Sequence, residues 1–347
     1  MTIRKTMVLG LALALVAALA APLAAQTPQQ IQAALDAAYA KYKDLQEGKN
    51  ADYIPALAKV DPKLFGIAVV TPDGKMHTAG DINTEVSIQS ISKVFTMARV
   101  IQDQGPESIL NRIGVDATGM RFNSIISVEV AKKELGGAEL NPLVNPGAIT
   151  ATSMVQGNTS EEIWNKILGT YSDFAGRRLS VLQDVYKSES DTNQRNQAIG
   201  MLMYAYGYIK DNPARATDLY TRQCSVGVNA KDLAMMAATL AFGGRNPVTG
   251  KQAISSENVP YVLAVMATAG LYDDSGKWLY HTGLPAKSGV GGGIIAVSPG
   301  NFGIAVVSPP LDDAGNSVRA QKAITDINRA LGGNPYSVKA RKVMTNN

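Results

Sequence analysis

Ser90 and Lys93 stand three residues apart in Gln89-Ser90-Ile91-Ser92-Lys93, a spacing that can make a nucleophile and its base. On a helix beginning near Ser90, positions three apart share a face, so the hydroxyl and the amine can meet. A lysine serves as base when burial disfavours its ammonium and brings its pKa toward neutrality. The hydroxyl also lies at the positive end of such a helix, where developing negative charge is favoured. Amide hydrolysis would need, besides this pair, donors for the oxyanion of the tetrahedral intermediate. Average composition supplies on the order of one Ser-x-x-Lys by chance in a chain this long, and the bland reading is an N-cap serine with a solvated lysine. Here, however, no other serine in the 347 residues precedes a lysine by three.

Histidine is the usual base, but the chain has only His77 and His281. His77 follows a hairpin turn and reads as exposed; His281 sits before the turn at Gly283 and reads as a loop hydrogen-bonder. Neither shows a triad pattern or HExxH spacing, so neither a metal nor a cofactor is expected. Lys287-Ser288-Gly289 is a second chemical signal, late in the chain. Penicillin-recognising enzymes combine a Ser-x-x-Lys with a later Lys-Ser/Thr-Gly strand. A β-lactamase or DD-peptidase is therefore the rival enzyme. Its third signature, Ser-x-Asn, is nominally met by Ser256-Glu257-Asn258, which reads better as the N-cap of an apolar helical stretch through 262–266. A binding protein for polar amino acids is the non-enzymatic alternative, and the presence of both Ser90 and Lys93 argues against it.

The elements that must position these residues follow a plain order. Residues 29–46 repeat apolar side chains at helical spacing. A strand-like run over 64–70, the turn Pro72-Asp73-Gly74 and a second run through Met76 read as a β-hairpin. A second hairpin is expected late, with 293–297 and 302–307 flanking Ser298-Pro299-Gly300-Asn301. A closing helix over 316–331 stops at Gly332-Gly333. Between these flanks the pattern is helical, notably over 161–168, 198–208 and 230–241. The expected class is α+β: an antiparallel sheet flanked by helices and closed by both chain ends, with an inserted all-helical domain. The sheet part takes 27–93 and 267–347, and the helical part takes 94–266.

With 46% hydrophobic residues the chain can bury a real core, and a formal charge of +4 without a basic run makes nucleic acid an unexpected partner. Arg4 and Lys5, the apolar run 7–21 and the small-residue exit at Ala24, Ala25 and Gln26 have the layout of a cleaved secretory signal over 1–25. No later segment is apolar enough to span a bilayer, so no membrane association is expected once the signal is removed. The lone Cys224 cannot form an internal disulfide, which fits a bacterial periplasm, or secretion, without a disulfide framework.

With these residues in hand, the chain resembles the serine-dependent glutaminase family of bacteria and mammals. The similarity runs from about Tyr53 to Ser317 through Tyr53-Ile54-Pro55, the Ser90 block, Gly119-Met120-Arg121-Phe122-Asn123 and Asn141-Pro142-Leu143-Val144-Asn145-Pro146-Gly147-Ala148. It continues through Glu189, Arg195-Asn196, Tyr220 before Cys224-Ser225, Gly283-Leu284-Pro285-Ala286-Lys287-Ser288-Gly289-Val290, Ser308-Pro309-Pro310-Leu311-Asp312 and Gly315-Asn316-Ser317.

The resemblance implies a β-lactamase-like fold and hydrolysis of L-glutamine to L-glutamate and ammonia through a seryl acyl-enzyme. It makes Ser90 the nucleophile and Lys93 the base, with the backbone amides of Ser90 and Val290 as the oxyanion hole. Asn145, Glu189, Asn196, Tyr220 and Tyr272 would hold the substrate, with Tyr53 close to the reacting amide and Tyr272 relaying a proton to the departing ammonia. It also implies a homodimer or homotetramer. Taken singly, the asparagines could be turn or cap residues, Glu189 a solvated acid and the tyrosines edges of the core. One departure stands out: Pro146 replaces the family's usual alanine before Gly147, which removes a backbone donor beside Asn145.

Overall fold

The computed structural model describes residues 26–133 and 136–338, so the segment read as a signal, 1–25, lies outside the described residues. Among the described residues seven strands form: β1 (Gly66–Val70), β2 (Met76–Gly80), β3 (Val86–Ser87), β4 (Gly227–Val228), β5 (Ala286–Gly289), β6 (Gly293–Ser298) and β7 (Phe302–Val307). Five of them make one sheet in the order β2-β1-β7-β6-β5, antiparallel throughout. An early and a late strand thus meet inside it, where β1 lies against β7. The late hairpin matches its sequence signal closely. The early one has a longer second strand, because residues 76–80 pair with β1 along its whole length although their alternation is weak.

The strands β1, β6 and β7 are buried at every position, as expected of runs of Ile, Val and Ala covered on both faces. On one face Ile67, Val69, Ile304 and Val306 pack with Ile31 and Leu35 of the opening helix (Pro28–Tyr42) and Ile324 and Ile327 of the closing helix (Val318–Leu331). Each such side chain contributes roughly 1.5–3 kcal/mol by leaving water. The opening helix starts where Thr27 and Gln30 form a capping box, and it ends at Tyr42, earlier than the periodicity suggested.

On the other face Ala68, Val70, Ala305 and Val307 join one continuous apolar cluster with Val94, Phe95, Phe174, Leu233 and Met236. This cluster carries the helices of the middle of the chain, including Ser92–Gln104, Asn145–Met154, Ser160–Ala175, Gln194–Ala205 and Ala230–Ala241. The architecture is therefore α+β, an antiparallel sheet flanked by helices. Beside the main sheet, β3 pairs with β4, a two-residue ladder too short to show in sequence periodicity. It ties the segment just before Ser90 to the helical region.

Candidate active site

Ser90, the candidate nucleophile, sits in a tight turn. Gln89–Ile91 forms one 3-10 turn that runs directly into the helix Ser92–Gln104. Gln89 enters it with a φ of 49°, uncommon for a residue with a side chain, and such strain clusters at functional sites. β5 passes immediately behind this turn: a Cβ on Gly289 would lie 2.9 Å from the Ile88 carbonyl oxygen and 3.4 Å from the Ser90 nitrogen. The glycine of Lys-Ser-Gly thus allows β5 to approach the Ser90 amide. Val290 follows at once, on the wall of a cavity of about 850 Å³.

Lys93 points into the protein, only 1% exposed, between the rings of Phe122 and Tyr220 at 5.9 and 5.7 Å. Burial pushes its amine down to about 8, against the pull of the Cys224 thiol and the Glu189 carboxylate. Its hydrogen bond goes to Asn145 Oδ1 at 2.6 Å. Ser90 lies close to Tyr272, whose phenol donates to the Ser288 carbonyl at 3.1 Å. Tyr272 is itself held at a φ of 55°, with its ring 4.8 Å from that of Phe122.

The remaining candidates converge on the same place from separate helices. Asn145 opens the helix Asn145–Met154, and its Oδ1 also accepts from the Tyr220 hydroxyl at 3.1 Å. Its amide nitrogen donates to Asn196 Oδ1 at 2.9 Å. Pro146 falls in the first turn of that helix, where a backbone donor has no intrahelical acceptor to serve. The departure from the family pattern is therefore harmless to the helix, and the Asn145 amide still donates to the Phe122 carbonyl at 2.7 Å. Glu189, buried on the helix Gln183–Asp191, accepts from Gln89 Nε2 at 3.1 Å, and burial pushes its carboxyl up to about 7. Tyr53 is 54% exposed and lies on the lip of the cavity with Arg121 and Asn123.

Gln89 and Phe122 were not singled out from sequence, and Lys287 was read only as part of the Lys-Ser-Gly signal. Gln89 positions Glu189, Phe122 packs on Tyr272 and Lys93, and Lys287 is buried beneath the Tyr272 ring. The family-like blocks contained all three, but only a partner in space gives them a job. Ser256-Glu257-Asn258 is elsewhere: Asn258 donates to Gln102 Oε1 and lies beside Pro106 and Tyr261. It stands at the N-cap position of Val259–Ala269 but makes no side-chain cap bond, which corrects the capping expected of it. His77 lies half-buried on β2, not exposed, and His281 is exposed at the end of Ser275–Thr282.

Comparison with known proteins gives a consistent picture. The sequence model of the family described as Glutaminase matches residues 48–336. A glutaminase of Colwellia psychrerythraea is 55% identical, with 90% of this chain and 99% of that protein covered. The solved structure of the probable glutaminase ybaS superposes with a TM-score of 0.87 at 46% identity, covering 90% of this chain and all of the other. The probable glutaminase of Bacillus subtilis gives 0.77 at 28% identity, covering 87% and 95%. A structure of Mglu in its glutamate form gives 0.84 at 34% identity, covering 91% of this chain and 71% of the other.

Proposed function

The chain belongs to the glutaminase family, and from that premise we propose the following division of labour for the hydrolysis of L-glutamine to L-glutamate and ammonia. The Ser90 oxygen attacks the side-chain amide carbon of glutamine while the uncharged Lys93 amine takes the hydroxyl proton. The amides of Ser90 and Val290 face the oxygen that becomes negative. Tyr272, close to Ser90, hands a proton to the departing ammonia and is restored from Lys93. Water then cleaves the γ-glutamyl ester, with Lys93 again as base, releasing glutamate and free Ser90.

Glu189 pairs with the substrate's α-ammonium, and Asn145, Asn196 and Tyr220 offer donors to its α-carboxylate. Tyr53 closes over the amide end from the cavity lip. To take the Ser90 proton, the Lys93 amine turns from Asn145 Oδ1 to the Ser90 hydroxyl. The observation that carries this reading is the buried Lys93 one helical turn beyond Ser90, its amine pushed down to about 8. The β-lactamase reading is not favoured, because its Ser-x-Asn candidate lies by Gln102 and outside the site. Ammonia release from glutamine and asparagine, run beside a chromogenic cephalosporin, tests it. Glutamine turnover with an intact cephalosporin is expected; turnover of the cephalosporin alone would overturn it.

Two further readings rest on sequence and family resemblance. The basic, apolar and small-residue order of 1–25 supports export to the periplasm or beyond, and the family supports a homodimer or homotetramer. Fractionation of expressing cells and light scattering of the purified protein decide them. Retention in the cytosol, or a monomeric mass, would count against each respectively.

A further inference from the structure

Lys287 has no part in the steps above, yet its side chain is 0% exposed and adjoins them. Its amine donates to the carbonyl of Ser288 at 2.6 Å and to that of Gly270 at 3.0 Å. It also stands 4.0 Å from the centroid of the Tyr272 ring. The Ser288 carbonyl is the same atom that accepts from the Tyr272 phenol, so lysine and tyrosine share one acceptor. A buried amine costs free energy, and here its polar partners are carbonyls rather than a carboxylate, an expensive arrangement for packing alone.

We propose that Lys287 is a positioning residue for amide hydrolysis that acts through Tyr272. By holding the Ser288 carbonyl and backing the tyrosine ring, its amine fixes the phenol against the Ser90 hydroxyl. The need arises from the backbone. Tyr272 is held at a φ of 55° in a short 3-10 turn, a conformation that persists only where surrounding contacts over-determine it. The Ser288 amide donates to the Gly270 carbonyl at 3.1 Å, and the Lys287 amine bonds the same carbonyl. The turn bearing Tyr272 and the strand that ends at Gly289, just before Val290, are therefore locked together at one point. Without the amine, the carbonyl keeps the phenol as a donor but loses the group that fixes its direction, and the ring loses its support. The proton path between Ser90 and the leaving group then loosens while the distant contacts to the α-ammonium and α-carboxylate stay intact.

This inference rests on the proposal that Tyr272 works beside Ser90, and a double-mutant cycle separates the two. Lys287→Met keeps the volume and removes the donors. Alone it is expected to lower kcat for glutamine on the order of 100-fold, with KM changed by less than about 3-fold, as a displacement near 1 Å does. In a Tyr272→Phe background the same change is expected to cost less than about 3-fold more, because the two substitutions disable one device. Multiplying losses would overturn the inference and leave the role of Tyr272 standing; full activity in Tyr272→Phe alone would instead overturn that role. Thermal melting monitors folding, and if Lys287→Met loses its cooperative transition, the cycle is run with Lys287→Gln and must show the same non-additivity.

Discussion

The amine of Lys93 rests 2.6 Å from Asn145 Oδ1, while Ser90 lies close to Tyr272. The amine and the hydroxyl thus have different neighbours, and the amine is held by Asn145, one of the residues proposed to bind the substrate's α-carboxylate. An amide oxygen accepts from an ammonium or an amine without adding a charge of its own. That neutrality leaves burial as the dominant influence on Lys93.

Asn145→Asp removes the neutrality with little change of shape. A carboxylate at this distance favours the ammonium, and a buried lysine so paired titrates roughly one to three units higher. The midpoint of the rise of kcat/KM with pH is expected to move up by at least about one unit. An unmoved midpoint would show that Lys93 is not the group whose deprotonation limits the reaction.

The pH profile of the unmodified enzyme has a definite sign. Lys93, pushed down to about 8, accepts a proton only above that pH. Glu189, pushed up to about 7, pairs with an α-ammonium only when ionised, above that pH. Both losses lie on the acid side. Accordingly kcat/KM is expected to fall as pH drops through about 8 and to fall more steeply below about 7. Because the two groups sense each other, the apparent values belong to the pair. A level profile from pH 6 to 9, or a decline toward alkaline pH, contradicts the lysine base.

Gly270 lies where the turn before Tyr272 meets β5, and a Cβ there would stand 1.7 Å from the Ala286 carbonyl oxygen. Gly270→Ala must push strand and turn apart. A loss of roughly 1–3 kcal/mol in urea unfolding is expected, as for other overpacked sites. Activity should drop further than stability, since the same strand carries Gly289 and leads into Val290. A fully stable and active variant would mean that this contact does not position the site.

Much of the architecture and the reacting pair were legible in the sequence for physical reasons. Ser90 and Lys93 are close along the chain, so a local motif captures them. The strands β6 and β7 are uninterrupted apolar runs around a four-residue turn, and Ala230–Ala241 coincides with its helical pattern. Asn145, Glu189, Asn196 and Tyr220 sit on four different helices, and only family resemblance pointed to them. Hydrophobic periodicity says where a side chain faces, never which distant polar group it meets. The bond from Gln89 to Glu189 spans 100 residues and that from Lys93 to Asn145 spans 52, which is why neither could be read locally. The β2 boundary was missed for the opposite reason: its residues alternate weakly and form a strand because β1 offers them a ladder.

Ser90→Ala, assayed for ammonia release and for glutamine binding by calorimetry, tests the covalent mechanism most directly. The oxygen that attacks the amide is removed, while Glu189, Asn145, Asn196 and Tyr220 are left in place. Ammonia release at the level of the uncatalysed reaction with measurable glutamine binding is the result expected. Undiminished ammonia release from this variant would contradict a seryl intermediate, whatever the fold or the family.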